Sequence, residues 1–224
     1  MIVTEKNKIN SYAVLIAARN EENVISDLLN SIYDSDYYHD KITVFVIADN
    51  CTDSTAAIAE QNGARVYVRK NLELIGKGYA LSELIHHLKE DYPEGFDGYF
   101  VFDADNIISP SFITEMDKKM SQGHDIVTSY RNSKNYSTNW ISSGSSLWFL
   151  CGSTFFNRGR DILGSSCQVS GTGFLFSRKI YDSMSDWPYH LLTEDLEFSV
   201  NQALNGRRIA FCEKAEIYDE QPTD

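Results

Sequence analysis

A chain of 224 residues with 42% hydrophobic and 23% charged side chains can bury one sizeable core unaided, so a single domain over 1–224 is expected. Its 32 acidic residues against 20 basic ones leave a formal charge of −12, which excludes a broad electrostatic footprint for nucleic acid or anionic lipid and obliges any small anionic ligand to find a local cation. Four cysteines, Cys51, Cys151, Cys167 and Cys212, form no Cys-x-x-Cys pair, so neither zinc nor a compact disulfide framework is indicated and a reducing cytoplasm is the simpler expectation.

Met1 to Asn10 is polar and lacks the apolar segment of a secretory leader, and no apolar run reaches the ~18 residues of a membrane span. Tyr12 to Ala18 is an apolar run suited to a first strand, and Val24, Ile25, Leu28, Leu29 and Ile32 then recur at helical spacing over Glu21–Tyr33. The alternation repeats: Ile42–Ala48 strand, Asp53–Gln61 helix closed by Asn62-Gly63, Arg65–Val68 strand, Gly76–Lys89 helix, Gly98–Phe102 strand, Ser111–Met120 helix. Such βαβα order implies an α/β fold with a mostly parallel central sheet flanked by helices. Further along, Asp125–Tyr130 reads as a strand, Arg131–Asn139 as a polar loop, and Trp140–Phe156 as a helix packed on the sheet. That reading is preferred to a membrane-surface or acceptor-contacting segment because basic residues come only afterwards, at Arg158 and Arg160. Gln168–Ser177 reads as a strand, Glu194–Asn205 as a helix stopped by Gly206, and Arg208–Cys212 as a last strand.

The chemistry concentrates at strand ends. Asp103-Ala104-Asp105-Asn106 follows the run Gly98–Phe102 directly. Two carboxylates there cannot both shed water into a core, and a divalent cation resolves the conflict. Mg²⁺ and Mn²⁺ suit hard oxygen ligands and are commonly held by one or two carboxylates plus substrate phosphates. An isolated Asp-x-Asp is also a common polar turn, so context decides. Asp49 ends the second strand and can accept from a nucleobase N–H or simply form a turn, with Asp53 taken as the cap of the next helix. Gly76-Lys77-Gly78 opens a helix and places a lysine where phosphate oxygens would sit. It is not a Walker loop, and Ala17-Ala18-Arg19-Asn20-Glu21 is not a dinucleotide turn. Thr193-Glu194-Asp195 sits at a helix start, where Thr193 as cap and two dipole-complementing acids would be a sufficient structural account.

The order Ala17-Ala18-Arg19-Asn20-Glu21-Glu22, Ala48-Asp49-Asn50, Gly76-Lys77-Gly78, Asp103-Ala104-Asp105, Gly171-Thr172-Gly173 and Thr193-Glu194-Asp195 resembles glycosyltransferase family 2, the inverting GT-A enzymes, over nearly the whole chain. Within it the chain is most similar to the catalytic domains of membrane-bound bacterial polysaccharide synthases, the cellulose, chitin and hyaluronan synthase branch. The resemblance implies a single Rossmann-like GT-A domain that transfers a sugar from a nucleotide-sugar donor, a UDP-sugar, to a hydroxyl of a carbohydrate or lipid acceptor. It implies that Ala17, Arg19, Glu21 and Asp49 hold the uridine, with Asp49 accepting from uracil N3–H. Lys77 would face the nucleotide or its phosphates, and Asp103 with the neighbouring Ala104 would meet ribose or metal. Asp105 would ligate Mn²⁺ or Mg²⁺ on the diphosphate. Gly171, Thr172 and Gly173 would line donor sugar and acceptor, and Asp195 would be the general base, with Glu194 the alternative.

The chain departs from that branch in lacking a Gln-x-x-Arg-Trp motif before Asp224 and the flanking hydrophobic spans. The expectation is a soluble domain excised from a longer protein that sits at the cytoplasmic face of the cell membrane through segments absent here. A sugar-nucleotide pyrophosphorylase-like nucleotidyltransferase would show a glycine- and basic-rich loop after the first strand, which Ala17-Ala18-Arg19-Asn20 is not. A non-catalytic nucleotide-sugar-binding module would not require Asp195 beside both Asp103 and Asp105.

Overall fold

The computed structural model describes residues 9–223. The polar N-terminal stretch read from the sequence falls, up to Lys8, outside the described residues. In chain order the elements are β1 (Tyr12–Ala18), α1 (Ile25–Tyr33), β2 (Ile42–Asp49), α2 (Thr55–Gln61), β3 (Arg65–Arg69), α3 (Lys77–Asp91), β4 (Gly98–Asp103), β5 (Ile107–Ile108), α4 (Phe112–Ser121) and β6 (Ile126–Ser133). They continue with α5 (Trp140–Cys151), a π-helical stretch at Gly152–Asn157, α6 (Arg158–Ile162), β7 (Phe174–Ser177), α7 (Arg178–Asp182), α8 (Glu194–Leu204) and β8 (Ile209–Asp219).

One sheet runs in the order β3-β2-β1-β4-β7-β6-β8-β5. Strands β3, β2, β1 and β4 are mutually parallel, β6 and β8 are parallel to each other, and β7 is antiparallel to both its neighbours. Strands β1, β2 and β4 are nearly continuous apolar runs because both faces are covered, whereas β3 is a partly exposed edge strand. On one face Val14, Ile16, Val44, Phe100 and Phe102 meet Leu28, Ile32, Phe112 and Met116 of α1 and α4. On the other, Leu15, Phe45, Ile47 and Val101 meet Leu81, Leu84 and Leu88 of α3, together with Trp187 and Phe198. The side-chain period of two along each strand divides the residues between these layers.

The second half differs from its sequence reading in four places. Only Phe174–Ser177 of the expected strand at Gln168–Ser177 joins the sheet, because Gly171 and Gly173 take positive φ and turn the chain just before it. At Gly173 this is obligatory on two counts, since an added Cβ would also fall 2.6 Å from Ser129 Oγ. Strand β8 continues past Cys212 to Asp219. Its pairing with β6 shifts register between Ser129 and Tyr130, and the exposed Glu213-Lys214 pair at that bulge breaks the apolar pattern that would have revealed the continuation. The register beyond the bulge also extends β6 to Ser133, into the stretch read as a loop.

The fourth difference concerns the helix from Trp140. It runs on through the π-helical stretch into α6, and the face turned to the protein is polar: Ser142, Ser146, Ser153 and Asn157 are buried. Ser146 Oγ donates to Ser142 O at 2.6 Å, and Asn157 exchanges two hydrogen bonds with the backbone of Gln168, each 3.0 Å. Trp148 and Phe155 point outward, 74% and 71% exposed. Among the described residues no helix is long and apolar enough to cross a membrane.

Candidate active site

Parallel pairing brings the carboxyl ends of β1, β2 and β4 to one edge, with Ala17 opposite Asp103 and Ala18 opposite Ala48. A cavity of about 380 Å³ opens there, the expected location in an open α/β sheet. Ala17, Arg19, Glu21, Asp49, Lys77, Asp103, Ala104 and Asp105 all line it, joined by Gly76, Arg131, Asp219 and Glu220.

Asp49 is not the free carboxylate that the sequence suggests. The Arg69 guanidinium, 2% exposed, donates through Nη1 to Asp49 Oδ1 at 2.6 Å, through Nε to Glu83 Oε2 at 2.7 Å and through Nη2 to Leu74 O at 2.7 Å. Asn50 Nδ2 also donates to Asp49 Oδ1, at 2.9 Å. Both donors use one oxygen, which leaves Oδ2 as the atom able to accept from a ligand. Asp53, expected as the cap, stands one residue before the N-cap Ser54; it still accepts from Thr55 N and Oγ1 at 3.0 and 2.6 Å, and its other oxygen accepts from Glu22 N at 3.2 Å, holding the β1 loop. These bonds to the ionised carboxylate depress its pKa in spite of an opposing desolvation.

Asp103 and Asp105 have different partners. Lys77 Nζ donates to Asp103 Oδ1 and to the carbonyl of Gly171. Burial alone would lower the lysine pKa, but Asp103, Glu194 and Asp195 hold it above its ordinary value. Asp105 has no such cation. Its own carbonyl takes the Lys134 ammonium, while burial, then Asp219 and Asp103, push its carboxyl pKa up to about 6. Glu21, facing the same space, is also raised by burial and by Asp103 and Asp53. Among the described residues no group of three or more His, Cys, Asp or Glu side chains could hold a metal ion by itself. A donor set of one or two hard carboxylate oxygens fits Mg²⁺ or Mn²⁺ whose remaining positions are filled by phosphate and water, and Asp105, crowded by like charge, is the group that gains most from such an ion.

The glycine-flanked segments separate into wall and support. Gly76 lines the cavity, whereas Gly78 is packed against the 187–190 segment: a Cβ there would stand 2.0 Å from Tyr189 O. Thr172 and Gly173, expected to line the sugar, lie behind the site instead. Thr172 is 2% exposed; its Oγ1 accepts from Asp103 N at 2.9 Å and bonds Asn106 Oδ1, so it props the Asp103 turn. Gly171 remains at the rim, where the Asp195 Oδ2 atom lies 3.8 Å from the position of an added Cβ.

Beyond Gly171 a second cavity of about 410 Å³ is lined by Asp195, Thr193, Leu196, Ser170, Trp148, Phe156 and Arg160, among others. Glu194 turns instead towards the first cavity, 3.7 Å from Lys77 Nζ, and burial raises its pKa although Lys77 opposes the shift. Thr193 makes no side-chain capping bond, so its capping role is corrected. Asp195 Oδ1 accepts from its neighbour Leu196 N at 2.8 Å, and Oδ2 is left on the Gly171 side.

Sequence reasoning missed Arg69, Arg131 and Asp219. Asp219 is 4% exposed and accepts from Arg131 Nε and Nη2, Asn106 Nδ2 and Gln221 Nε2. Arg131 also donates to Ser170 O at 2.6 Å and lies 3.8 Å from the Phe149 ring centroid, tying the end of β8 to the wall between the two cavities. The signal available was an arginine directly after a strand read from the sequence, Arg69 after Arg65–Val68 and Arg131 after Asp125–Tyr130; the carboxylates that they meet are remote in sequence.

The model of the glycosyltransferase-like family 2 matches residues 10–224. The chain belongs to this family. It is 23% identical over 216 residues to a beta-monoglucosyldiacylglycerol synthase of Synechocystis sp., covering 94% of this chain and 44% of that relative. It is also 23% identical over 232 residues to a probable glycosyltransferase, YdaM, of Bacillus subtilis, covering 94% and 50%. The chain thus spans half or less of the length of these curated relatives. Among solved structures it is similar to the mannosyltransferase PcManGT from Pyrobaculum calidifontis in complex with GDP-Man and Mn²⁺, with a TM-score of 0.72, 17% identity and coverage of 97% of this chain and 59% of that one. It is also similar to S. aureus TarS 1–349 in complex with UDP-GlcNAc, with a TM-score of 0.68, 18% identity and coverage of 96% and 59%. These likenesses identify the sheet described above as the GT-A fold.

Proposed function

We propose that this chain is the catalytic domain of a metal-dependent, inverting glycosyltransferase that moves a sugar from a UDP-sugar to a hydroxyl of a glycolipid or glycan acceptor. The observation that carries the reading is a cavity lined by Asp49 and by the Lys77, Asp103 and Asp105 cluster, with Gly171, whose carbonyl accepts from Lys77, standing beside Asp195 of the second cavity. Mn²⁺ in one structural neighbour and a diacylglycerol product in the name of one relative support the cofactor and acceptor classes.

In this reading Asp49 Oδ2 accepts from the base, Lys77 faces the phosphates, and Asp103 and Asp105 are the residues that would hold the cation. When bound, the cation would supply Lewis-acid stabilisation of charge on the departing phosphate. Asp195 accepts the acceptor's hydroxyl proton as that oxygen bonds to the anomeric carbon and the carbon–phosphate oxygen bond breaks. Nucleoside diphosphate leaves, and a single in-line displacement inverts the centre. Glu194, turned towards Lys77, is the less suitable base.

Calorimetric titration with UDP, with Mn²⁺ and then with chelator, tests the donor side. The expected result is affinity that falls on chelation and that Asp105→Ala reduces to the chelated level. Equal affinity in all conditions would return the carboxylate pair to a polar turn.

A further inference from the structure

The stretch from Trp140 to Leu163 is inside out. Its buried positions are serines and Asn157, while Trp140, Leu147, Trp148, Phe155, Ile162 and Leu163 are each more than 60% exposed. Within α5, at about 100° per residue, Trp140, Leu147 and Trp148 fall on the side of the helix opposite Ser142 and Ser146. Single exposed apolar residues need no explanation, but a contiguous face of this kind marks an interaction surface.

Charge identifies the occupant. In a chain of net charge −12, the only charged residues of this stretch are Arg158, Arg160 and Asp161. Asp161 is occupied by Arg208 and Lys119, at 2.8 and 3.3 Å, and Arg158 meets Glu213 at 3.2 Å. Arg160 is exposed and has no side-chain partner among the described residues. Aromatic and aliphatic residues with arginines and no free carboxylate complement a surface that is apolar beneath and phosphate-bearing above. The face is also continuous with the second cavity, which Trp148, Phe156 and Arg160 line together with Asp195.

We infer that α5, the π-helical stretch and α6 dock on the surface of a phospholipid bilayer. The aromatic side chains enter the headgroup layer, Arg160 meets lipid phosphate, and the second cavity faces the membrane so that a lipid-borne hydroxyl reaches Asp195. The last clause rests on the role proposed above for Asp195; the docking does not.

The test is flotation of the chain with phosphatidylcholine vesicles, with and without phosphatidylglycerol, for the wild type and for the Phe155→Glu, Leu163→Glu double variant. Neither residue lines either cavity. The expected result is wild-type flotation with a blue shift of tryptophan fluorescence, and a loss of roughly tenfold or more in partitioning for the variant. UDP affinity and melting temperature should be unchanged, which separates failure of docking from failure of the donor site. Three results would overturn the proposal: no flotation, flotation equal in wild type and variant, or self-association in sedimentation that the variant abolishes, which would make a second copy the occupant.

Discussion

The two halves of the sheet solve opposite problems. In β2, β1 and β4 apolar side chains turn inward on both faces and polar chemistry is confined to the strand ends. Around β6 and β8 the flanking α5 segment turns serines inward and aromatics outward, and an ion pair, Arg131 with Asp219, closes the wall. The first half behaves as a finished globular layer, and the second as a layer whose outer surface awaits another phase. Apolar content therefore indicates burial along the strands of both halves and exposure along the α5 segment.

The largest effect should come where the halves meet. Asp195→Asn keeps the size of the side chain and removes its basicity, so sugar transfer should fall by roughly 10²–10⁴ while UDP affinity and melting temperature stay at wild-type values. Steady-state transfer beside UDP titration reads both. Wild-type turnover in the Asn variant would move the base to Glu194.

Next is the buried pair of the first half. Arg69→Met leaves Asp49 and Glu83 without their guanidinium, and removing one partner of a buried pair costs about 3–5 kcal/mol; chemical denaturation measures it. If the half behaves as a finished layer, the loss should be global and accompanied by weakened preference for UDP over CDP. A stability loss below ~1 kcal/mol would mean that water reaches the pair.

The second half predicts a polarity reversal. Ser146→Leu, although it adds apolar surface, should destabilise by about 1–3 kcal/mol through overpacking of a tight face. Leu147→Ser, one residue away and outward, should stay within about 0.5 kcal/mol. Thermal melts of the two variants compare them directly, and the reverse order would abolish the contrast between halves.

The smallest effect is a gain. With its pKa raised from 3.8 to about 6, Asp105 penalises the metal-free folded state at neutral pH, so Asp105→Asn should stabilise the metal-free protein by roughly 1–2 kcal/mol, discounted for partial exposure. The carboxylate binds its proton more tightly folded than unfolded. The advantage of Asn is therefore full above the folded pKa, shrinks as pH falls from about 6 and vanishes below 3.8. Melting curves across that window check the sign.

The fold's first half was legible because its signals are local: a doubly covered strand is an unbroken apolar run, and the residue after it is a strand end. This is how Asp49, Asp103 and Asp105 could be placed at one edge before any coordinates. Where legibility ended, two unlike causes operated. Glu213-Lys214 hid the continuation of β8 behind a bulge, and with it Asp219. The Trp140 helix was read as packed on the sheet because basic residues come only after it, at Arg158 and Arg160, which left open which side faces inward; its serines occupy that place. Besides these, Arg69 was missed and Thr172 misplaced because whether a polar group faces a ligand or supports one that does depends on contacts that no spacing encodes.

Lys77 bridges Asp103 and the Gly171 carbonyl, and this has a consequence for salt sensitivity. An empty anion site normally gathers mobile ions, and a charged ligand must displace them. Here a tethered ammonium already serves as counterion to Asp103, and a diphosphate arriving with its own cation would let the lysine pass from carboxylate to phosphate as the metal takes its place. The exchange conserves the number of ion pairs inside the protein, so few mobile ions need to leave. Association at this edge of the sheet should therefore respond to ionic strength far less than the charge of its ligand implies.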